Sequence, residues 1–189
     1  MHLRGRQEMP IRLQPRDVTR DLESFNSVLI VSCPVCPAVS LALIEQKPLF
    51  QIFKNGLKTQ AFEDYVKSKR EPLDQRGIRT DSFTMRLPHP LMCLWTDGQR
   101  RKLEKRAEGF EAVVVLGCYS AAQTARVALK DTDCHVIHGM DEIGLTNATI
   151  RVRYPLTVEL EPHPLPSKQF ARWGRDTEVA PHVTDRKVS

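Results

Sequence analysis

Two short apolar runs constrain this chain more than anything else in it: Ser27-Val28-Leu29-Ile30-Val31 and Glu111-Ala112-Val113-Val114-Val115-Leu116. Neither alternates with polar residues, so each reads as a strand covered on both faces, the pattern of a parallel sheet and not of a half-solvated antiparallel one. Helical segments fall between and after them. Pro37 suits a first turn, and Ala38 to Ile44 follows it; Leu57 to Lys69 puts Leu57, Ala61, Phe62, Tyr65 and Val66 on one face and is expected to end at Glu71-Pro72. Thr80 to Leu87 reads as a strand, Gln99 to Ala107 as a strongly charged helix, Ser120 as the cap of a helix through Ala121, Ala122, Ala125 and Leu129, and Cys134 to Ile137 as a third short strand. The alternation predicts an α/β class: a single Rossmann-like domain with a mainly parallel sheet, whose sites form beyond the carboxyl ends of the strands.

At 189 residues and 41% hydrophobic content, the chain can bury one substantial core. The expected organisation is an irregular basic arm over residues 1–25, the α/β domain over 26–150, and a carboxyl-terminal extension over 151–189. The net charge of +5 sits in the arms: Arg4, Arg6, Arg12, Arg16 and Arg20 face only Glu8 and Asp17, and residues 168–189 hold five basic against three acidic side chains. A neutral globule between basic arms does not call for nucleic acid as a partner. Phe170 and Trp173, set among polar neighbours, read instead as anchors for a protein interface. No run approaches the roughly 18 apolar residues of a membrane span, and no apolar leader follows the charged start, so a cytoplasmic location is expected.

Glycine-rich phosphate loops and the nucleophile elbow of serine hydrolases are missing from the sequence, and Asp141 and Glu142 read as turn caps, not as a general acid–base pair. Cysteine carries the remaining chemistry. Cys33 and Cys118 each follow a strong strand immediately, and Cys93 follows the turn Pro88-His89-Pro90, so three loops are expected to converge at one sheet edge. Cys33-Pro34-Val35-Cys36 places two thiols at a spacing that suits one metal ion, a redox dithiol or two packed small hydrophobes. Cys118 at a helix start gains thiolate stabilisation from unpaired amides. Cys134, inside an expected strand, reads as core. Among the histidines His89, His135 and His138, His138 is the one placed to complete a thiolate shell.

The motifs Val28-Leu29-Ile30-Val31-Ser32-Cys33-Pro34-Val35-Cys36, Met92-Cys93, Val113-Val114-Val115-Leu116-Gly117-Cys118 with Gln123, and Gly139-Met140-Asp141 together resemble the small accessory (MetV) subunits of bacterial methylenetetrahydrofolate reductases. The likeness spans about residues 26–145. It implies that Cys33, Cys36, Cys93 and Cys118 hold one [4Fe-4S] cluster or Zn2+, and that the chain serves a larger, flavin-containing reductase barrel of one-carbon metabolism as a non-catalytic subunit. The third cysteine of the family's opening motif falls at Ser40, leaving Ser40 or His138 as substitute ligands, and the family's second cysteine-rich segment has no counterpart after Asp141. Two other readings stand beside this one. A thiol–disulfide oxidoreductase would use Cys33 as nucleophile and Cys36 as resolving thiol; an interaction module would merely pack its cysteines.

Overall fold

All six residues of Ser27–Ser32 and all five of Ala112–Leu116 are buried, as two-sided coverage requires. In the computed structural model, which describes residues 11–85 and 89–163, they are β2 and β5 of a larger set. In chain order the elements are β1 (Ile11–Pro15), α1 (Thr19–Leu22), β2 (Ser27–Ser32), α2 (Cys36–Ile44), β3 (Phe50–Gln51), α3 (Ile52–Asn55), α4 (Gln60–Gln75), β4 (Arg79–Thr84), a 3-10 turn (Met92–Leu94), α5 (Asp97–Ala107), β5 (Ala112–Leu116), α6 (Tyr119–Ala128), β6 (His135–His138), β7 (Met140–Leu145), β8 (Ala148–Arg153) and β9 (Thr157–Pro162).

Four strands form an all-parallel sheet in the order β4-β2-β5-β6. Side-chain parity assigns the covering helices. Thr80 bonds Asp74 of α4 and lies beside Val28, so α4 covers the face of Val28, Ile30 and Val114; Asp81, beside Leu29, pairs with Arg106 of α5 on the other face. Helix α6 shares the α5 face, since a Cβ on Gly117 would meet both Ala121 and Val115. The protein is thus mixed α/β with helices on both faces of a parallel sheet. The chain winds outward from β2 to β4, returns across to β5, and continues to β6. That reversal between β2 and β5 is a topological switch point.

Several boundaries differ from those expected. Residues 11–22 are not arm but strand and helix: β1 pairs antiparallel with β7, and Leu13 and Leu22 are buried. The arginines of this segment mask a period-two pattern in which Leu13 alone points fully inward. Residues 148–163 are not an irregular extension either. Here β8 and β9 form an antiparallel hairpin, completed by β3, with Ile150 opposite Leu160 and Val152 opposite Val158, while Arg151 and Arg153 pair with Glu161 and Glu159. Pro72 lies inside α4 instead of ending it. The ring costs one intrahelical bond near the end of the helix, and the last turn is held by buried Leu73 and by Arg70 bonded to Asp74. Residues 1–10 and 164–189, with Arg4, Arg6, Phe170 and Trp173, lie outside the described residues, as do Arg86, Leu87 and Pro88.

Candidate thiolate site

The two central strands deliver two cysteines to the switch point. Pairing continues one residue past β2, where the Cys33 amide donates to the Leu116 carbonyl at 3.0 Å. The next position on the other strand must be small. A Cβ on Gly117 would fall 2.7 Å from the Ala121 Cβ and 3.4 Å from the Cys33 Cβ, so glycine lets α6 start directly against the Cys33 loop. Cys118 is then the N-cap of α6 and Cys36 the first residue of α2. Cys33 and Cys118 are buried, Cys36 is half-buried and Cys93 is exposed.

Backbone donors surround the sulfurs. Cys33 receives the amides of Met92 and Val35, Cys36 the amide of Ile11, and Cys118 the amides of Ala121 and Ser120. Such donors favour a thiolate over a thiol. They do not act equally. Burial dominates at Cys33 and pushes its thiol up, with the neighbouring Cys118 and Cys93 adding to the rise. Cys36 donates its proton toward Cys118: that contact, with the Ala121 and Ser120 amides, pulls Cys118 down to about 6 against the opposing effects of burial and Glu142. The same contact, reinforced by burial, holds Cys36 firmly in the thiol form. The two shifts run in opposite directions, so negative charge is favoured on the helix-capping sulfur of Cys118 over Cys36. A nucleophilic Cys33 is disfavoured, because its burial opposes the ionisation that attack requires.

The third loop is fixed from α5. Thr96 and Gln99 form a capping box in which the Gln99 amide donates to the Thr96 hydroxyl at 3.3 Å and the Thr96 amide donates to the Gln99 side-chain carbonyl at 3.1 Å. Gln99 is itself buried, and its Nε2 donates to the His89 carbonyl at 2.9 Å. Trp95, buried edge-on against Phe83, closes the other end of the Cys93 turn. The T-x-x-Q signal at Thr96 to Gln99 is readable in the sequence; its role in holding a cysteine loop is not.

The two substitute ligands have other partners. Ser40 is fully buried, and its hydroxyl accepts from the Leu13 amide at 2.9 Å while facing the Ile11 carbonyl at 3.4 Å, which fastens β1 to α2. Its donor and one of its two acceptor lone pairs are engaged in the fold. His138 ends β6 with Nε2 at 2.8 Å from the Gly117 carbonyl and its ring edge-on to Tyr119; with Nε2 so engaged, Nδ1 is the nitrogen left for a ligand. Cys134 precedes β6 at the opposite end of the strand from His138 and is half-buried against the core. Asp141 and Glu142 lie within β7 and cap no turn; Glu142 instead reaches the start of α6, where its Oε1 accepts the Tyr119 amide at 2.5 Å.

Among the described residues no three cysteine, histidine, aspartate or glutamate side chains are already grouped as ligands of one metal ion. The donor set still fits a thiophilic ion in chemistry: four thiols on three adjoining loops, three of them supplied with amide hydrogens that would hold sulfur-borne negative charge. Comparison with family models, curated proteins and solved structures gives no match.

Proposed function

We propose that this chain is a non-catalytic accessory subunit that holds one [4Fe-4S] cluster or one Zn2+ through Cys33, Cys36, Cys93 and Cys118, on a Rossmann-like sheet, for a larger oxidoreductase. The observation that carries the reading is the set of backbone amides aimed at three of the four sulfurs from loops that meet at the switch point. A bound cluster would supply one-electron transfer, and a zinc ion would tie the loops together. The chain's own task is to present thiolates, disperse their charge into amides and exclude water from Cys33 and Cys118. Four sulfur ligands leave no open coordination position, which favours electron transfer or structure over Lewis-acid catalysis.

The partner in this reading is a flavin-containing methylenetetrahydrofolate reductase-like barrel, as the sequence resemblance implies. Exposed apolar side chains on the β8–β9 hairpin support a protein partner: Ile150 and Val152 are more than 60% exposed and Tyr154 is 98% exposed. Thiolates of this kind persist in a reducing compartment, so we place the protein in the cytoplasm; no helix among the described residues is long and apolar enough to cross a membrane.

The test is metal and acid-labile sulfide content, with a visible absorption spectrum, on protein purified without oxygen. Iron with sulfide supports the electron-transfer subunit. Zinc alone supports the structural form, and neither metal overturns the proposal.

A further inference from the structure

The hydrogen-bonding phase of the β8–β9 hairpin fixes which backbone groups are left over. His163 donates its amide to the Asn147 carbonyl at 2.8 Å, in the register that continues Ala148 opposite Pro162, so Asn147 and His163 form a hydrogen-bonded pair. Such pairs alternate along an antiparallel ladder, and Thr149, Arg151 and Arg153 are therefore the β8 residues that bond β9. The β9 side agrees, because the Val158 carbonyl turns away from β8 to accept the Leu49 amide at 2.8 Å. Ile150 and Val152 consequently aim their amides and carbonyls at the other side of β8. That side is the edge of the sheet order β3-β9-β8 and pairs with no strand among the described residues. The same two residues carry exposed apolar side chains, on the face that includes Val158 and Leu160. At β9 this face looks toward α2, where Pro162 and Leu43 line one cavity, and at β8 it is left uncovered.

We propose that β8 takes up one further strand, an extended segment of a partner protein in which apolar and acidic residues alternate. Backbone pairing to Ile150 and Val152 supplies affinity, and the alternation supplies specificity. The pattern required is that of β9: Val158 and Leu160 lie across from Val152 and Ile150, and Glu159 and Glu161 reach Arg153 and Arg151. Both arginine side chains stay more than half exposed, so they retain surface for acidic residues of an added strand. The charge also argues against a second copy of this chain. An antiparallel β8–β8 pair about a two-fold axis sets the arginine face of one strand against the arginine face of the other. The inference specifies how the protein partner of the preceding reading would dock, and it stands whether or not the cysteines hold a metal.

The experiment follows residue-resolved amide exchange by NMR in the full chain, alone and with about 1 mM of an acetylated, amidated peptide carrying residues 156–163 of this chain. The Ile150 and Val152 amides should exchange freely in the chain alone and slow by about tenfold or more with the peptide, while those of Arg151 and Arg153, bonded to β9, are protected throughout. The same peptide with lysine in place of both glutamates should have no effect. Val152→Pro removes a free-edge donor without removing a β8–β9 bond, and it should weaken binding of the labelled peptide, read by fluorescence anisotropy, by about tenfold or more. Since that variant could misfold, the lysine peptide on the unaltered protein decides independently. Protection of Ile150 and Val152 in the chain alone would overturn the proposal, in favour of residues 164–189 as the covering segment if it is independent of concentration and of a second copy if it grows with concentration. Equal slowing by both peptides, slowing by neither, or loss of protection at Arg151 and Arg153 as the peptide replaces β9 would overturn it too. Metal content reads only the proposed function, so the two proposals fail separately.

Discussion

The Cβ of Cys33 stands 3.4 Å from where a Cβ on Gly117 would be, so the residue before one cysteine sets how closely the other can approach. Backbone strain has no part in this, because the clash is steric: the same added carbon would fall 2.7 Å from the Ala121 Cβ. Gly117→Ala should therefore push the first turn of α6 away from the Cys33 loop. We expect a loss of about 1–3 kcal/mol, the usual range for overpacking a tight site, with a parallel fall in bound metal. Denaturant unfolding and metal analysis on the same preparation check both.

Cys118→Ser should abolish metal or cluster binding, whereas Cys134→Ser should leave it intact. Cys134 lies at the amino end of β6, away from the other four cysteines, so it controls for nonspecific effects of thiol removal. Equal metal content in the two variants would count against the site.

Ser40→Ala separates a ligand from a strut. The hydroxyl accepts the buried Leu13 amide, and its removal leaves that donor unpaired at a cost of about 1–3 kcal/mol. Metal content should not change once the variant is folded. If metal is lost while stability is kept, Ser40 belongs in the ligand shell after all.

The opposed shifts of Cys36 and Cys118 give a pH signature in the metal-free protein. Thiolate ultraviolet absorbance should show one early ionisation near 6, from Cys118, and replacing its donor by Cys36→Ala should move that step upward. The sign for stability follows from linkage. Cys118 ionises more readily folded than unfolded, so its contribution is present above the ordinary thiol range and is lost as the pH falls toward 6. Cys33 and Cys36 are shifted the opposite way, and they cost stability as the pH rises past the ordinary thiol value. Unfolding midpoints across this window in the unaltered protein and in Cys36→Ala test the balance.

The central strands were legible because continuous apolar runs admit few other fates, and the cysteines that follow them inherit their positions from the strand ends. Other parts were hidden for physical reasons. Arginines at 12 and 16 outweigh the single inward Leu13 in any window average, so β1 reads as an arm. The β8–β9 strands place charge and apolar residues on alternate faces, and the proline at 155 between them suggests a tail until the cross-strand pairs are seen. The Cys36–Cys118 contact depends on which way each loop turns after its strand.

The donor to Cys36 from Ile11 comes from β1, which precedes every other described element in the chain and stays unpaired until β7 follows, with Leu13 matched to Glu142. The thiolate pocket therefore closes late, after nearly all the described chain has been made, and the half-built protein spends its synthesis with Cys33 and Cys36 less shielded than in the finished fold. For the proposed site, the vulnerable period is the nascent chain's, and if the thiols hold a metal, its delivery relative to translation would govern the yield of loaded protein.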